Sequence, residues 1–442
     1  MEIRRLKFLF AAIAALLTLA WLSSIDLTGL SRGFWPLRGL LIPFTGILAI
    51  GFMSIAVVLA ARPVQVESAL GGLDKYYLLH KWLSVGGVIM AVVHWLLEIV
   101  PRSLARNGWL ERPQRPPAPA AVDASLIDTL RGPAAEVGEW GLYLLLVLVA
   151  LALWKRFPYH LFFKTHRLMA PLFLVLIFHG AVLMPKSYWT APVGPLLALL
   201  MAAAAVAAAL SLFGRIGQSR RATGQVTEFR LYPGNSVLDV GVRLETAWPG
   251  HDAGQFAFLD FDDVEGAHPF TISSAWHGDG RLVFSIKGLG DYTRTLPQIV
   301  HVGQAVTVEG PYGRFDFRDA DRRQVWIAGG VGITPFIARL QAIAGTAPTA
   351  PTDLVYSTAA PDDGFIAQVA GYAAEAGVAF HLLDSRKEGF LTLDRIAAWI
   401  PEWREADVWF CGPRGFGTSL RDAMTAAGLP ADRFRQELFE MR

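Results

Sequence analysis

Four histidines stand inside apolar stretches, His80 and His94 in one and His166 and His179 in another. An imidazole in hydrocarbon is costly and is kept for function, and its neutral nitrogen is a metal ligand. The 14-residue gap between His80 and His94 is a rise of about 21 Å along a helix, and the 13-residue gap between His166 and His179 about 19.5 Å. On two parallel helices each level then receives one imidazole from each, His80 with His166 and His94 with His179. Stacked bis-imidazole sites suit low-spin heme iron; dinuclear copper or zinc needs its ligands gathered at one level. The helical wheel agrees only in part. Fourteen residues return to within about 40° of one face, whereas thirteen leave about 140°. Pro171 lies between His166 and His179 and is expected to distort that helix. His160 is a rival to His166, set beside Pro158 at the end of the stretch.

Membrane helices must carry these residues. The chain has 442 residues, 53% of them hydrophobic, and the excess lies before residue 215. Six stretches, 8–25, 38–61, 76–100, 139–154, 161–184 and 191–213, approach the length of about 20 residues needed to cross a bilayer. The first resembles a signal peptide without a clean cleavage site and reads as an uncleaved span. Basic residues gather before span one, between two and three, between four and five, and after six. That places both termini in the cytoplasm of a multi-pass inner (plasma) membrane protein in contact with lipid. The loop 101–138, with its run RPQRPPAPAA, then lies outside, extended and mobile. The net charge of +2 gives no reason to expect nucleic acid, and the lone Cys411 excludes an intrachain disulfide and Fe–S or Cys-rich zinc sites.

From Thr223 short alternating runs separated by Gly and Pro predict a small antiparallel β-barrel. From Arg323 the order strand, Gly-rich turn, helix, strand, helix predicts an α/β nucleotide domain with a parallel sheet. The fold expected is an all-α six-helix transmembrane bundle over 1–215, a cytoplasmic FAD-binding barrel over 222–318 and an NAD(P)-binding α/β domain over 322–442.

The C-terminal half carries an ordered set of motifs: HPFTISS at 268–274, SIKGLGDYT at 285–293, GPYG at 310–313, AGGVGITP at 328–335, FCGP at 410–413 and the terminal QELFEMR. Glycines between a strand and a helix let backbone N–H groups take a pyrophosphate. In this order the motifs resemble the ferredoxin–NADP reductase superfamily, in the version used by bacterial NADPH oxidases and ferric-reductase-like transmembrane proteins; the likeness covers about 38–442. It implies FAD, two b-type hemes and NADPH or NADH as cofactors. His268, Pro269, Phe270, Thr271 and Ser273 form the flavin motif, with His268 in the place of the usual Arg and the Thr271 hydroxyl near flavin N5. Lys287, Gly288, Gly290 and Thr293 are implied at the flavin phosphates, and Tyr292 against adenine. GPYG is implied to close the barrel. Gly329, Gly330, Gly332, Thr334 and Pro335 with Cys411, Gly412 and Pro413 are implied at the nicotinamide. Phe439 matches the terminal aromatic that shields the flavin, with Glu437 nearby. Thr271, Cys411 and Phe439 are the expected catalytic residues.

The expected activity is electron transfer from cytoplasmic NAD(P)H through FAD and two hemes to an acceptor outside, as an NAD(P)H oxidase or ferric-reductase-like enzyme. Oxygen, reduced to superoxide, is ranked ahead of ferric chelates. Oxygen-reducing relatives place an Arg at the start of span two, matched by Arg38, and a His four residues past the outer ligand, where this chain has Glu98. That acid opposes superoxide unless Arg38 or Arg102 offsets it, and would attract ferric iron. A relay to a periplasmic protein is the other reading, opposed by the fused flavin module; no obligatory protein partner is evident. NADPH is favoured weakly over NADH, with Ser357, Thr358 and either Arg386 or Arg414 near a 2′-phosphate.

Overall fold

The computed structural model describes the chain except residues 1, 27–32, 64–65, 67–69, 71, 112–125, 155, 262–265, 316, 318–320, 347–348 and 438–442. Its contacts divide it into two compact units, one drawn from residues 2–216 and the other essentially from residue 217 onward.

The first unit is helical: α1 (Glu2–Leu22), α2 (Phe34–Ala60), α3 (Leu73–Arg106), α4 (Leu126–Leu153), α5 (Tyr159–Arg167), α6 (Met169–Leu183) and α7 (Val193–Leu212). They supply six spans long and apolar enough to cross a membrane, α5 and α6 together making the fifth. Helices are required there because hydrocarbon offers the backbone no other hydrogen-bond partner. Small and large apolar residues share the packed face. In α7 the buried positions Val193, Leu197, Met201, Ala204 and Ala208 recur at helical spacing on one face, as expected where helices associate by contact and not by a hydrophobic effect.

Two features depart from the simple sequence pattern. The expected external loop 101–138 is shorter, because α3 continues to Arg106 and α4 begins at Leu126. Charged residues there lower the hydropathy, yet Lys186 pairs with Asp128 at 2.9 Å and Arg131 donates to the Val182 carbonyl. The run RPQRPPAPAA lies outside the described residues. The fifth span is broken at Leu168, whose N–H turns back to the Thr165 carbonyl. Pro171, three residues on, has no N–H for the Arg167 carbonyl, so the α-helical ladder is interrupted there.

The second unit holds two sheets. The first is antiparallel, with β1 (Arg221–Tyr232), β2 (Val237–Leu244), β3 (Phe256–Asp260), β4 (His268–Thr271), β5 (Arg281–Lys287) and β6 (Ala305–Tyr312) in the order β4-β3-β6-β1-β2-β5. Its edge strands approach at one bridge, Ile272 with Phe284. A helix the sequence pattern did not suggest, α8 (Asp291–Ile299), adds Tyr292 and Leu296 to the core of Val240, Leu259 and Phe284. The second sheet is parallel: β7 (Gln324–Gly329), β8 (Thr352–Thr358), β9 (Ala379–Asp384), β10 (Asp407–Cys411) and β11 (Phe434–Gln436), in the order β11-β10-β7-β8-β9. Helices α9 (Thr334–Ile343), α10 (Asp363–Glu375), α11 (Ser385–Glu388), α12 (Leu393–Trp399) and α13 (Arg414–Ala426) follow the strands. Both faces are covered. Trp326 and Ala328 of β7 enter one core with Phe336, and Val325 and Ile327 enter the other with Met424, the period-two division of a doubly covered parallel sheet.

Candidate functional site

In the helical unit the break at Leu168 lets both histidines of the fifth span face α3. The His80 and His166 rings lie 6.3 Å apart between centroids and 70° apart in plane; His94 and His179 repeat the spacing at 6.3 Å and 85°. Three of the four rings are fixed through Nδ1: His80 to the Ala56 carbonyl at 2.8 Å, His94 to Ile42 at 2.9 Å and His179 to Ala134 at 2.8 Å. A carbonyl can only accept, so each Nδ1 carries the proton and each Nε2 keeps its lone pair. The Thr45 hydroxyl, 3.4 Å from His94 Nδ1, donates instead to the Leu41 and Ile42 carbonyls. His166 differs, because among the described residues its buried Nδ1 has no partner. The side chain of His160 lies outside the described residues.

These pairs fit heme. The 6.3 Å between the ring centroids of each couple leaves a gap that a metal ion bound by both imidazoles, at bonds of about 2.0 Å, would fill. Among the described residues no three His, Cys, Asp or Glu side chains gather to hold a metal. Two imidazoles per level suit a metal whose other ligands come from a macrocycle. The accepting carbonyls escaped the sequence reading, since a main-chain acceptor has no side-chain signature.

One turn beyond His94, Glu98 is held between two cations. Arg38 lies 2.8 Å and Arg102 2.9 Å from the same carboxylate oxygen. Arg38 is largely buried, stacks near Trp35 and donates to the Leu97 carbonyl at 2.7 Å, while Arg102 is exposed. The acid is therefore neutralised, and the group keeps one net positive charge.

In the second unit HPFT forms β4. Pro269 is tolerated because β4 is an edge strand. His268 and Phe270 share a face, and the His268 ring stacks on Tyr292 at 4.3 Å. Tyr292 thus packs one face of its ring against His268. Thr271 is buried opposite Phe256. The Ser273 hydroxyl is committed to the sheet, donating to the Val283 carbonyl and accepting from Ser285. Around KGLG, Gly288 N–H donates to the Ser236 carbonyl, and the Leu289 and Gly290 N–H groups donate to Thr293 Oγ1. Thr293, the third residue of α8, thus reaches back to the N–H of the N-cap Gly290 and to that of Leu289. Lys287 is half-buried, and burial first, then the charge of Arg386, lowers its pKa below the usual ammonium value.

The strand order brings the two nicotinamide motifs together. β7 sits between β8 and β10, a switch point of the parallel sheet, and Ala328 pairs with Cys411. Gly330 has φ +58° and faces Lys287 Nζ. A Cβ on Gly332 would stand 2.2 Å from the Cys411 carbonyl oxygen, and one on Gly412 3.0 Å from Gly329 Cα, so both contacts are backbone to backbone. Thr334 and Pro335 open α9, and Pro413 directly precedes α13. Cys411 itself is fully buried in a core, and burial, then Glu437, pushes its thiol pKa well up. It is a neutral packing group, not a thiolate. Phe439 lies outside the described residues. A polar cavity of about 370 Å³ beside β1, β2 and β5 is lined by Asp239, Gln341 and Tyr372, and of the motif residues by the serines Ser273, Ser274 and Ser285.

Comparison with known proteins agrees with this division. Residues 45–177 match the family described as ferric reductase like transmembrane component, and residues 222–316 an FAD-binding domain family. A flavohemoprotein of Pseudomonas putida is 29% identical over 213 residues, 45% of this chain and 53% of its own length. An NADPH oxidoreductase of Mycobacterium tuberculosis is 31% identical over 181 residues, 39% of this chain and 47% of its own. The chain spans about half the length of the curated relatives it matches. The solved flavohem-like FAD/NAD-binding domain of nitric oxide dioxygenase from Vibrio cholerae aligns with 49% of this chain and 98% of that one, at 22% identity and TM-score 0.43.

Proposed function

We propose, for a chain whose residues 45–177 match the ferric reductase like transmembrane component family and whose residues 222–316 match an FAD-binding domain family, the transfer of electrons from cytoplasmic NAD(P)H across the inner membrane to an acceptor outside, with FAD and two b-type hemes as cofactors. The observation that carries the reading is the pair of imidazole couples, each 6.3 Å across, on α3 and the broken fifth span. When bound, FAD supplies a hydride acceptor that parts with electrons singly, and the hemes supply one-electron stations at two depths.

The chain's own residues do the rest. His80 with His166 holds the inner site and His94 with His179 the outer, each Nε2 presented by a ring whose Nδ1–H, except on His166, is bonded to a carbonyl. The antiparallel sheet, read as a barrel joined at Ile272 and Phe284, presents His268, Phe270 and Thr271 to the flavin ring. Its phosphates fall to the Gly288–Thr293 turn with Lys287. Gly330 and Gly332 let the nicotinamide pyrophosphate approach the backbone at the start of α9, and Gly412 and Pro413 line the nicotinamide with Cys411 as a neutral floor. Arg386, whose charge is felt at Lys287, suits the 2′-phosphate of NADPH together with Ser357 and Thr358.

Outside, Arg38 and Arg102 cancel Glu98 and leave a positive rim one turn past His94. A cationic rim favours an anionic product such as superoxide, or an anionic ferric chelate, over a cation drawn by Glu98. Oxygen is the first reading and ferric chelate the second. The deciding experiment adds NADPH to the purified protein loaded with heme and FAD. Dismutase-sensitive probe oxidation in air supports oxygen; fast anaerobic reduction of ferric citrate with no dismutase-sensitive signal reverses the order.

A further inference from the structure

The two carbonyls that serve His94 and His179 share a local pattern. A helical side chain lies over the turn preceding its own Cα, so the residue at i+4 shields the carbonyl of residue i from sideways approach. The accepting carbonyls belong to Ile42 and Ala134, and positions 46 and 138 are both glycine. A Cβ on Gly138 would stand 1.9 Å from His179 Nδ1, 2.3 Å from Cε1 and 2.6 Å from Cγ. A Cβ on Gly46 would stand 3.3 Å from His94 Nδ1 and Cε1. The other level lacks the device. Ala56 is followed at that spacing by Ala60, the last residue of α2, and His166 Nδ1 has no partner among the described residues.

We propose that Gly138 and Gly46 are positioning residues for the His94–His179 site, notches that leave a helix carbonyl open so that each ring keeps its Nδ1–H bonded and its Nε2 turned to the metal. This rests on the heme reading above. Donation from Nδ1 makes Nε2 a stronger base and favours ferric iron, so closing a notch raises the midpoint of that site alone. The graded clearances set the order: Gly138→Ala acts strongly, because the ring must leave its seat, and Gly46→Ala weakly, because a few tenths of an ångström suffice.

The test is spectroelectrochemical titration of the heme-loaded protein in detergent, with heme counted per chain. Fewer than two hemes in the unmodified protein sinks the underlying reading. Given two, His94→Ala identifies the wave of its site by removing it. Gly138→Ala is expected to move that wave upward or abolish it and leave the other in place; Gly46→Ala shifts the same wave less. Gly141→Ala, on the same helix but meeting Leu176 at 3.0 Å and Leu172 at 3.6 Å and no histidine, is expected to move neither. The proposal is overturned if Gly138→Ala moves both waves alike, moves the other wave or moves none, or if Gly141→Ala shifts the wave equally. Should Gly138→Ala not fold, the comparison of Gly46→Ala with Gly141→Ala decides by the same criterion.

Discussion

In the helical unit the reactive groups are side chains fixed by main-chain carbonyls of neighbouring helices, as His80, His94 and His179 are. In the C-terminal unit the arrangement is reversed: glycine backbones form the site, and side chains such as Thr293 accept from turn amides. The difference follows from solvent. Between apolar helices no water orients an imidazole, so a helix carbonyl with a spare lone pair must do it. At the ends of parallel strands, backbone N–H groups are left over and a phosphate can take them, provided no Cβ intervenes. The two halves should therefore fail differently when a single atom is added or removed.

The largest effect tests whether the halves are separable. His94→Ala is expected to halve the heme content and abolish transfer to the external acceptor, while NAD(P)H still bleaches the flavin; unchanged transfer would refute the assignment. The counterpart in the other half is Gly332→Ala, whose Cβ meets the Cys411 carbonyl at 2.2 Å and forces β7 from β10. It should destabilise that unit by about 1–3 kcal/mol and slow flavin reduction, with both heme bands retained. Flavin reduction at the parental rate would show that the strands accommodate it.

A smaller effect concerns pH. Lys287 has a lowered pKa from burial and from Arg386, and a bound phosphate favours its charged form. FAD affinity should fall, with proton uptake on binding, as pH rises through the lowered Lys287 value. Calorimetry in buffers of different ionisation enthalpy measures that uptake, and Lys287→Met should remove it. The smallest effect separates the two arginines on Glu98. Arg38 is 12% exposed and Arg102 69%. Arg38→Ala should cost about 1.5–3 kcal/mol for lost hydrogen bonds to a charge, and Arg102→Ala about 0.2–1 kcal/mol as an exposed pair. Equal shifts in thermal unfolding, or in the KM for ferric citrate, would remove the distinction.

Much of the architecture was legible because its signals are local. Six apolar runs, the alternation after Thr223 and glycines between strand and helix each report on a few neighbouring residues. α8 was not legible, since Asp291–Ile299 contains Pro297 and is short; its amphipathic face forms only against the sheet. Nor was the committed state of Ser273 and Tyr292, whose motif positions say nothing about which neighbour claims a hydroxyl or a ring.

By itself the sequence determined that four imidazoles lie in hydrocarbon at two depths and that a glycine-rich turn follows a strand, because composition and spacing are properties of the chain. Only the tertiary structure decided that the rings face one another. A continuous fifth helix would have turned His166 and His179 apart; the break before Pro171 faces both toward α3, the Ala134 carbonyl fixes His179, and the carbonyls of Ala56 and Ile42 fix His80 and His94 on α3 itself. Those partners lie 24 to 52 residues away in the chain, beyond the reach of any local pattern.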